Sequence, residues 1–323
     1  MLSNLKIKYK NDIISLNDEF LWRFPPFFGN ILHKGFYIRS DFLSITKKEI
    51  FRIPELLNET KNYKIDYSFE KRYVFIGCGS SYNLGLIISR FLLGKGIQSI
   101  VLSAGSIIST DISNILDKSN DVLIFISRTG ESSETVLAEK LLKESGFYCL
   151  GITCQKDSSI IKNSDESFLF DYAYEESVVM TGSFVVILNF LLGQFQNFNL
   201  HEESERIIKE SDEITDEINL EKYDHFVFLG FNELFGLAKE GSLKLQEMAL
   251  ESVEYYEPLE YRHGPKSTLD DSTIVLFQSK GTKYELDLIE ELKGYNARVI
   301  VVGPHGDIDI NNKDMEIPLR TIP

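Results

Sequence analysis

An apolar, β-branched run, Asp121 to Ile126, ends in a dense cluster of hydroxyls around one glycine: Ser127-Arg128-Thr129-Gly130-Glu131-Ser132-Ser133. A helical pattern, Thr135 to Leu142, follows at once. A strand that enters a helix through such a turn aims free backbone N–H groups at one point. The hydroxyls of Ser127, Thr129, Ser132 and Ser133 can converge on the same point. That is the chemistry of a phosphate cradle without a metal or a Walker lysine. The same residues also suit an ordinary capping box, and the local sequence leaves the two readings even.

A second turn, Gly77-Cys78-Gly79-Ser80-Ser81-Tyr82, has glycines in the wrong spacing for a dinucleotide fingerprint, and the strand after it ends without an acid for a ribose. It reads as a backbone turn that lets a polar ligand approach, with Ser80 and Ser81 as donors; a tight turn that merely needs glycine is compatible with this. Acid–base groups come later in the chain. Glu240, Lys244 and Glu247 fall at i, i+4 and i+7, on one helical face. From spacing alone the preferred reading is a solvated stripe with an exposed ion pair. His263 stands before Gly264-Pro265, in a rigid, non-helical corner, and histidine suits proton transfer near neutral pH.

These residues need elements to place them. Residues 1–45 are aromatic and irregular, broken by Pro25-Pro26, and read as an arm; Thr46 to Glu59 reads as a short helix kinked at Pro54. Strands are expected at 73–76, 99–102, 122–126, 148–153 and 167–170, alternating with helices at 82–93, 135–145 and 182–198. An acidic helix at about 202–219 connects to a second alternation: strands at 225–229, 273–277 and 297–302, helices at 233–250 and 284–292. Both halves open with an apolar strand, a glycine turn and a long helix. The fold class expected is α/β: two related domains in tandem, each doubly wound with a parallel sheet. The expected boundaries are 1–45 (extension), 46–200 (first domain), 201–220 (linker helix) and 221–323 (second domain).

Composition narrows the partners. The chain has 323 residues, 43% hydrophobic, with a formal net charge of -15. That charge argues against nucleic acid, while a small anion can still bind through local N–H groups and hydroxyls. Apolar stretches are too short or interrupted to span a bilayer, and no signal-peptide core follows Lys6, Lys8 and Lys10. Three cysteines, Cys78, Cys149 and Cys154, make no disulfide framework, so the cytoplasm is expected. No metal spacing stands out, and no cofactor is expected.

Taken in order, these pieces resemble the sugar-isomerase (SIS) family. Within it the likeness is to the isomerase half of glucosamine-6-phosphate synthases and to the stand-alone deaminases built from that half. The matching segments are Gly77-Cys-Gly-Ser-Ser-Tyr82, Ser127-Arg-Thr-Gly-Glu-Ser132, Ser177-Val-Val-Met-Thr181, Leu237-Ala-Lys-Glu240, Leu243-Lys-Leu-Gln-Glu247 and Arg262-His-Gly-Pro-Lys266, spread over about residues 46–323. The resemblance implies that Ser127, Arg128, Thr129 and Ser132 hold the sugar phosphate, and that Cys78, Gly79, Ser80 and Ser81 contact the sugar. It implies that Val178 and Met180 line the ligand. It makes Glu247 the carboxylate that moves a proton between C1 and C2, Lys244 its neighbour, and His263 the ring-opening histidine reached from a neighbouring subunit of a homodimer. The partner is then an amino sugar phosphate, a hexose phosphate. Two features depart from the pattern: Gly182 replaces a lysine, and the family's carboxyl-terminal helix and lysine tail have no counterpart before Pro323. Three readings follow: an isomerase that deaminates glucosamine 6-phosphate; another phosphosugar isomerase or a fructosamine-phosphate deglycase; or a non-catalytic phosphosugar-binding regulator.

Overall fold

The structure is a computed structural model that describes residues 5–9, 12–16, 40–60, 64–110, 112, 115–195, 200–249, 251–310 and 317–322. In the amino-terminal extension, β1 (Leu5–Tyr9) and β2 (Asp12–Leu16) form an antiparallel pair. The Pro25-Pro26 break lies outside the described residues. The kinked helix expected from Thr46 is instead two helices, α1 (Ser40–Phe51) and α2 (Ile53–Thr60). Pro54 has no N–H to donate, so it fits the first turn of α2 and cannot sit within a continuing helix.

The first sheet is built from β3 (Arg72–Gly77), α3 (Ser80–Gly94), β4 (Ser99–Ser103), α4 (Ala104–Ser109), β5 (Asp121–Ile126), α5 (Ser133–Glu144), β6 (Cys149–Thr153), α6 (Ser159–Asn163) and β7 (Glu166–Leu169). Its five strands are parallel, in the order β4-β3-β5-β6-β7. Helices cover both faces, which is why β3, β5 and β6 read as unbroken apolar runs. α7 (Gly182–Leu192) is apolar all round and buried along nearly its whole length. It stops short of Phe198; residues 196–199 lie outside the described set.

After the acidic α8 (His201–Glu217) come β8 (His225–Gly230), α9 (Glu233–Ala249), β9 (Ser252–Tyr256), the one-turn α10 (Pro258–Tyr261), β10 (Thr273–Gln278), α11 (Lys283–Lys293) and β11 (Arg298–Val302). These four strands are also parallel, in the order β11-β10-β8-β9. β9 is absent from the sequence expectation: it starts two residues after a long helix, where a reader sees only the helix fading out.

The α/β class and the parallel sheets stand, but the tandem pair of related doubly wound domains does not. The sheets differ, five strands against four. The crossover from β9 to β10 carries only α10 and a 3-10 turn, Pro265–Thr268. One core cluster lies within each half, but others cross between them. One apolar cluster joins Ile53, Leu57 and Val185 to Ile207, Val302, Ile308 and Leu319. A strand, a glycine turn and a long helix open almost any βα unit, so that shared beginning carried less information about a repeat than it promised. The halves meet along α3 and α9. At Gly236 an added Cβ would lie 2.5 Å from Ile87 Cγ1, so the two helices touch backbone to side chain there.

Among the described residues no helix is long and apolar enough to cross a membrane.

Candidate active site

The hydroxyl-rich turn leaves β5 at its carboxyl end and becomes the start of α5. Ser127 is buried, and its hydroxyl donates to Ser132 Oγ at 3.2 Å. Gly130 turns the chain at φ 63, where a Cβ would sit 2.3 Å from Ser158 Oγ, so a side chain is excluded twice over. Thr129 Oγ1 accepts from Glu131 N. The capping-box reading fails: Ser132 is the N-cap residue of α5 and makes no side-chain cap bond. Glu131 turns away to Ser159, accepting from its N and Oγ at 2.8 Å each. The open amino end of α5 is the anion-binding arrangement expected of a phosphate cradle.

The two turns are neighbours, as parallel strands β3 and β5 require: Thr135 Oγ1 contacts Cys78 Sγ at 3.9 Å. Ser80 and Ser81 are buried in the first turn of α3, while Gly79 is exposed at φ 54. A cleft of about 800 Å³ opens beside them. Its walls include Cys78, Gly79 and Tyr82, Glu134 from α5, and Ser242, Leu243 and Gln246 from α9.

α9 brings the acid–base residues. Lys244 Nζ donates to Glu247 Oε2 at 2.5 Å and lies 3.4 Å from Glu240 Oε1. The solvated-stripe reading is overturned at Glu240, which is only 6% exposed and accepts from Asn83 Nδ2 of α3 at 2.8 Å. Burial raises its pKa; Lys244, Asn83 and Ser80 oppose the rise, and Glu247 adds to it. A chain of polar groups thus runs from the first turn through Asn83, Glu240 and Lys244 to Glu247. Asn83 carries no motif, and its place just before the apolar run Leu84 to Ile88 was the only signal it gave.

Lys239 was also passed over. Its ammonium lies 4.5 Å from the Tyr82 ring centre and 5.7 Å from that of Tyr255, on the cleft wall, and burial lowers its pKa.

The remaining expected residues fall in three places. Val178 is 42% exposed, whereas Met180 is buried and faces a separate, mainly apolar cavity of about 510 Å³ that also meets Lys244 and Glu240. Arg128 does not present its guanidinium to the loop it belongs to. Nη1 donates to the carbonyls of Ser177 (2.8 Å) and Val179 (3.0 Å), and Nη2 to that of Val178 (3.0 Å). His263 is exposed after α10, its N–H donating to Glu260 O, and among the described residues no bond joins it to Glu247. At Gly182 a Cβ would meet Leu56 Cδ1 at 2.6 Å, so a larger residue there needs the Leu56 side chain to move aside. Cys149 and Cys154 are buried free thiols; burial pushes Cys149 up to about 12.

Comparison with known proteins places the chain in a family. The SIS-domain family model matches residues 67–192. It takes one domain, the five-stranded half, which completes the correction of the expected two SIS domains. The isomerizing glutamine–fructose-6-phosphate aminotransferase of Aquifex aeolicus is 29% identical over 311 residues, covering 87% of this chain and 52% of that protein. That of Sulfurisphaera tokodaii is 26% identical, covering 92% and 50%. The chain therefore spans about half the length of these curated relatives. The crystal structure of glucosamine-6-phosphate deaminase from Thermotoga maritima is 34% identical and superposes with a TM-score of 0.75, covering 85% of this chain and 91% of that one. The tagatose-6-phosphate ketose/aldose isomerase of Escherichia coli shares the fold at 22% identity and TM-score 0.66, over 85% and 88% of the two chains. With the 34% identical deaminase matched over 91% of its length, and the SIS-domain model matching the half that holds the open turns, the chain belongs to the SIS family.

Proposed function

We propose that the protein is a phosphosugar aldose–ketose isomerase that deaminates its substrate, converting glucosamine 6-phosphate to fructose 6-phosphate and ammonia. The observation that carries this is the run of polar groups from Asn83 of α3 through Glu240 and Lys244 to Glu247 of α9, taken together with the uncapped start of α5. The phosphate sits at the amino end of α5, held by the hydroxyls of Ser127, Thr129 and Ser132 and the free amides. Gly79, Ser80 and Ser81 face the sugar. Glu247 takes the proton from C2 and returns it to C1, and Lys244 is the cation that pairs with its carboxylate between the two transfers. The C2 imine so formed adds water and releases ammonia.

His263 is exposed on its own chain, and it opens the pyranose ring in a partner's site within a cytoplasmic homodimer. The similar deaminase from Thermotoga maritima supports the choice of substrate.

The decisive assay follows ammonia and fructose 6-phosphate released from glucosamine 6-phosphate. Equal amounts of both are expected. Interconversion of other hexose phosphates with no ammonia would move the protein to the plain isomerases. Tight phosphosugar binding with no turnover would make it a regulator.

A further inference from the structure

Arg128 stands inside the phosphate loop, yet its side chain is spent elsewhere. Three of its N–H donors take three successive carbonyls, those of Ser177, Val178 and Val179. This segment has no regular secondary structure, so without such donors its carbonyls would be left unpaired in a half-buried setting. The main chain of Arg128 is fixed as well: its carbonyl accepts from Cys154 N at 2.9 Å and from Thr153 Oγ1 at 3.0 Å, at the end of β6.

The far side of the segment is held by carboxylates. Glu175 is almost fully buried and lies 3.7 Å from the Arg128 guanidinium. It accepts from Thr181 N at 2.9 Å, from Thr181 Oγ1 at 2.5 Å, and from Ser183 Oγ. Glu49 of α1 accepts from Glu176 N at 2.7 Å and from Ser177 N at 3.2 Å, while Thr46 Oγ1 and Ser177 Oγ lie 2.9 Å apart. Burial, and less strongly the neighbouring Glu175, raise the pKa of Glu49; Arg128 works against that rise. One cation therefore sits between two buried acids and the backbone of 177–179. A planar fork of five donors can make this set of contacts; a lysine ammonium cannot span it.

We propose that Arg128 is a positioning residue and not a phosphate ligand: it latches the phosphate loop to segment 177–181 and so sets where Val178 meets the sugar. The proposal rests on reading 127–132 as the phosphate loop. It makes phosphate anchoring and sugar recognition parts of one rigid unit, with Glu175 as the second half of the latch.

The test compares Arg128→Gln, Arg128→Lys and Glu175→Gln with the wild type, using inorganic phosphate and glucosamine 6-phosphate as probes. Calorimetric affinity for inorganic phosphate should change less than about threefold in all three variants. The KM for the sugar phosphate should rise about tenfold or more in each. Hydrogen exchange at the amides of 177–181 should quicken in each, and the double variant Arg128→Gln/Glu175→Gln should be no worse than the poorer single one.

Rescue by lysine is the sharpest arm. A phosphate ligand needs the charge and is restored by Arg128→Lys, whereas a latch needs the fork and is not. A tenfold loss of phosphate affinity in Arg128→Gln, restored in Arg128→Lys, with exchange at 177–181 unchanged, overturns the proposal. If the wild type binds neither probe, the phosphosugar reading fails, and the exchange data on the folded variants still decide the latch.

Discussion

Two strands in this chain deliver into long helices through glycine-containing turns, β3 into α3 and β8 into α9, and only the first turn is left open. α3 begins at Gly79 with no side-chain cap and no acid in its first turn. α9 begins with Glu233, which is 5% exposed and ion-paired with Lys280 from the end of β10. A helix amino end attracts an anion. In the second half the chain supplies that anion itself; in the first half, at α3 and again at the uncapped α5, it does not. The same backbone device is therefore left open in one place, where the proposed ligand site lies, and closed as a structural joint in the other, and the difference is one carboxylate.

Substitutions can break that comparison. The largest expected effect is on the chemistry that the open turns serve. Glu247→Gln should lower kcat by about 10²–10⁴-fold, the usual worth of a placed general base, with affinity for inorganic phosphate retained; near-normal turnover would remove Glu247 from its role.

Next comes α5, the helix of the phosphate loop. Its Glu139 is fully buried, accepts from Ser164 Oγ at 2.6 Å, and is pushed by burial to about 7 from an ordinary 4.5. The folded state then holds a proton that the unfolded state has lost. The stability from this group is complete below about pH 4.5 and disappears as pH rises through 7, about 3 kcal/mol at most. Glu139→Gln should flatten this slope and leave the protein more stable than wild type at pH 8 in urea unfolding; parallel curves at pH 5 and pH 8 would contradict it.

In the closed joint, Lys280→Met strands a buried carboxylate at Glu233 and should cost about 1–3 kcal/mol of stability while KM stays within about threefold. A large KM change at unaltered stability would show that the second turn is not merely a joint. The smallest pair contrasts two helix starts. Thr282 and Glu285 form a full capping box on α11, so Thr282→Ala should cost about 1 kcal/mol. Ser132→Ala, on a helix start that makes no cap bond, should cost less than half of that and instead weaken phosphate binding several-fold. Equal thermal shifts in the two variants would erase the distinction.

Features made by neighbours in sequence were legible. The strands of the first sheet and the hydroxyl loop are contiguous runs whose period and composition speak for themselves, and most helices fell within two or three residues of expectation. What distant partners decide was not legible. Glu240 has the spacing of a surface stripe, and only Asn83, 157 positions away, makes it an interior acid. Arg128 has the position of a phosphate ligand, and carbonyls about 50 residues on claim it instead. The supposed repeat failed for the same reason: a local likeness at the start of two βα units said nothing about strand number or about where the core would close.

That shared core also sets an order of events during synthesis. Ile53 and Leu57 pack with Val302, Ile308 and Leu319. On a ribosome the early residues wait for about 250 more to be added, roughly 10–50 s at usual elongation rates. The five-stranded sheet can form in that interval and α7 and α8 can cover part of α2, but the cluster closes only when β11 and the 3-10 turn Leu319–Thr321 arrive. The cluster that ties the first helices to the last strand is therefore the last part of the interior to be completed as the chain is made.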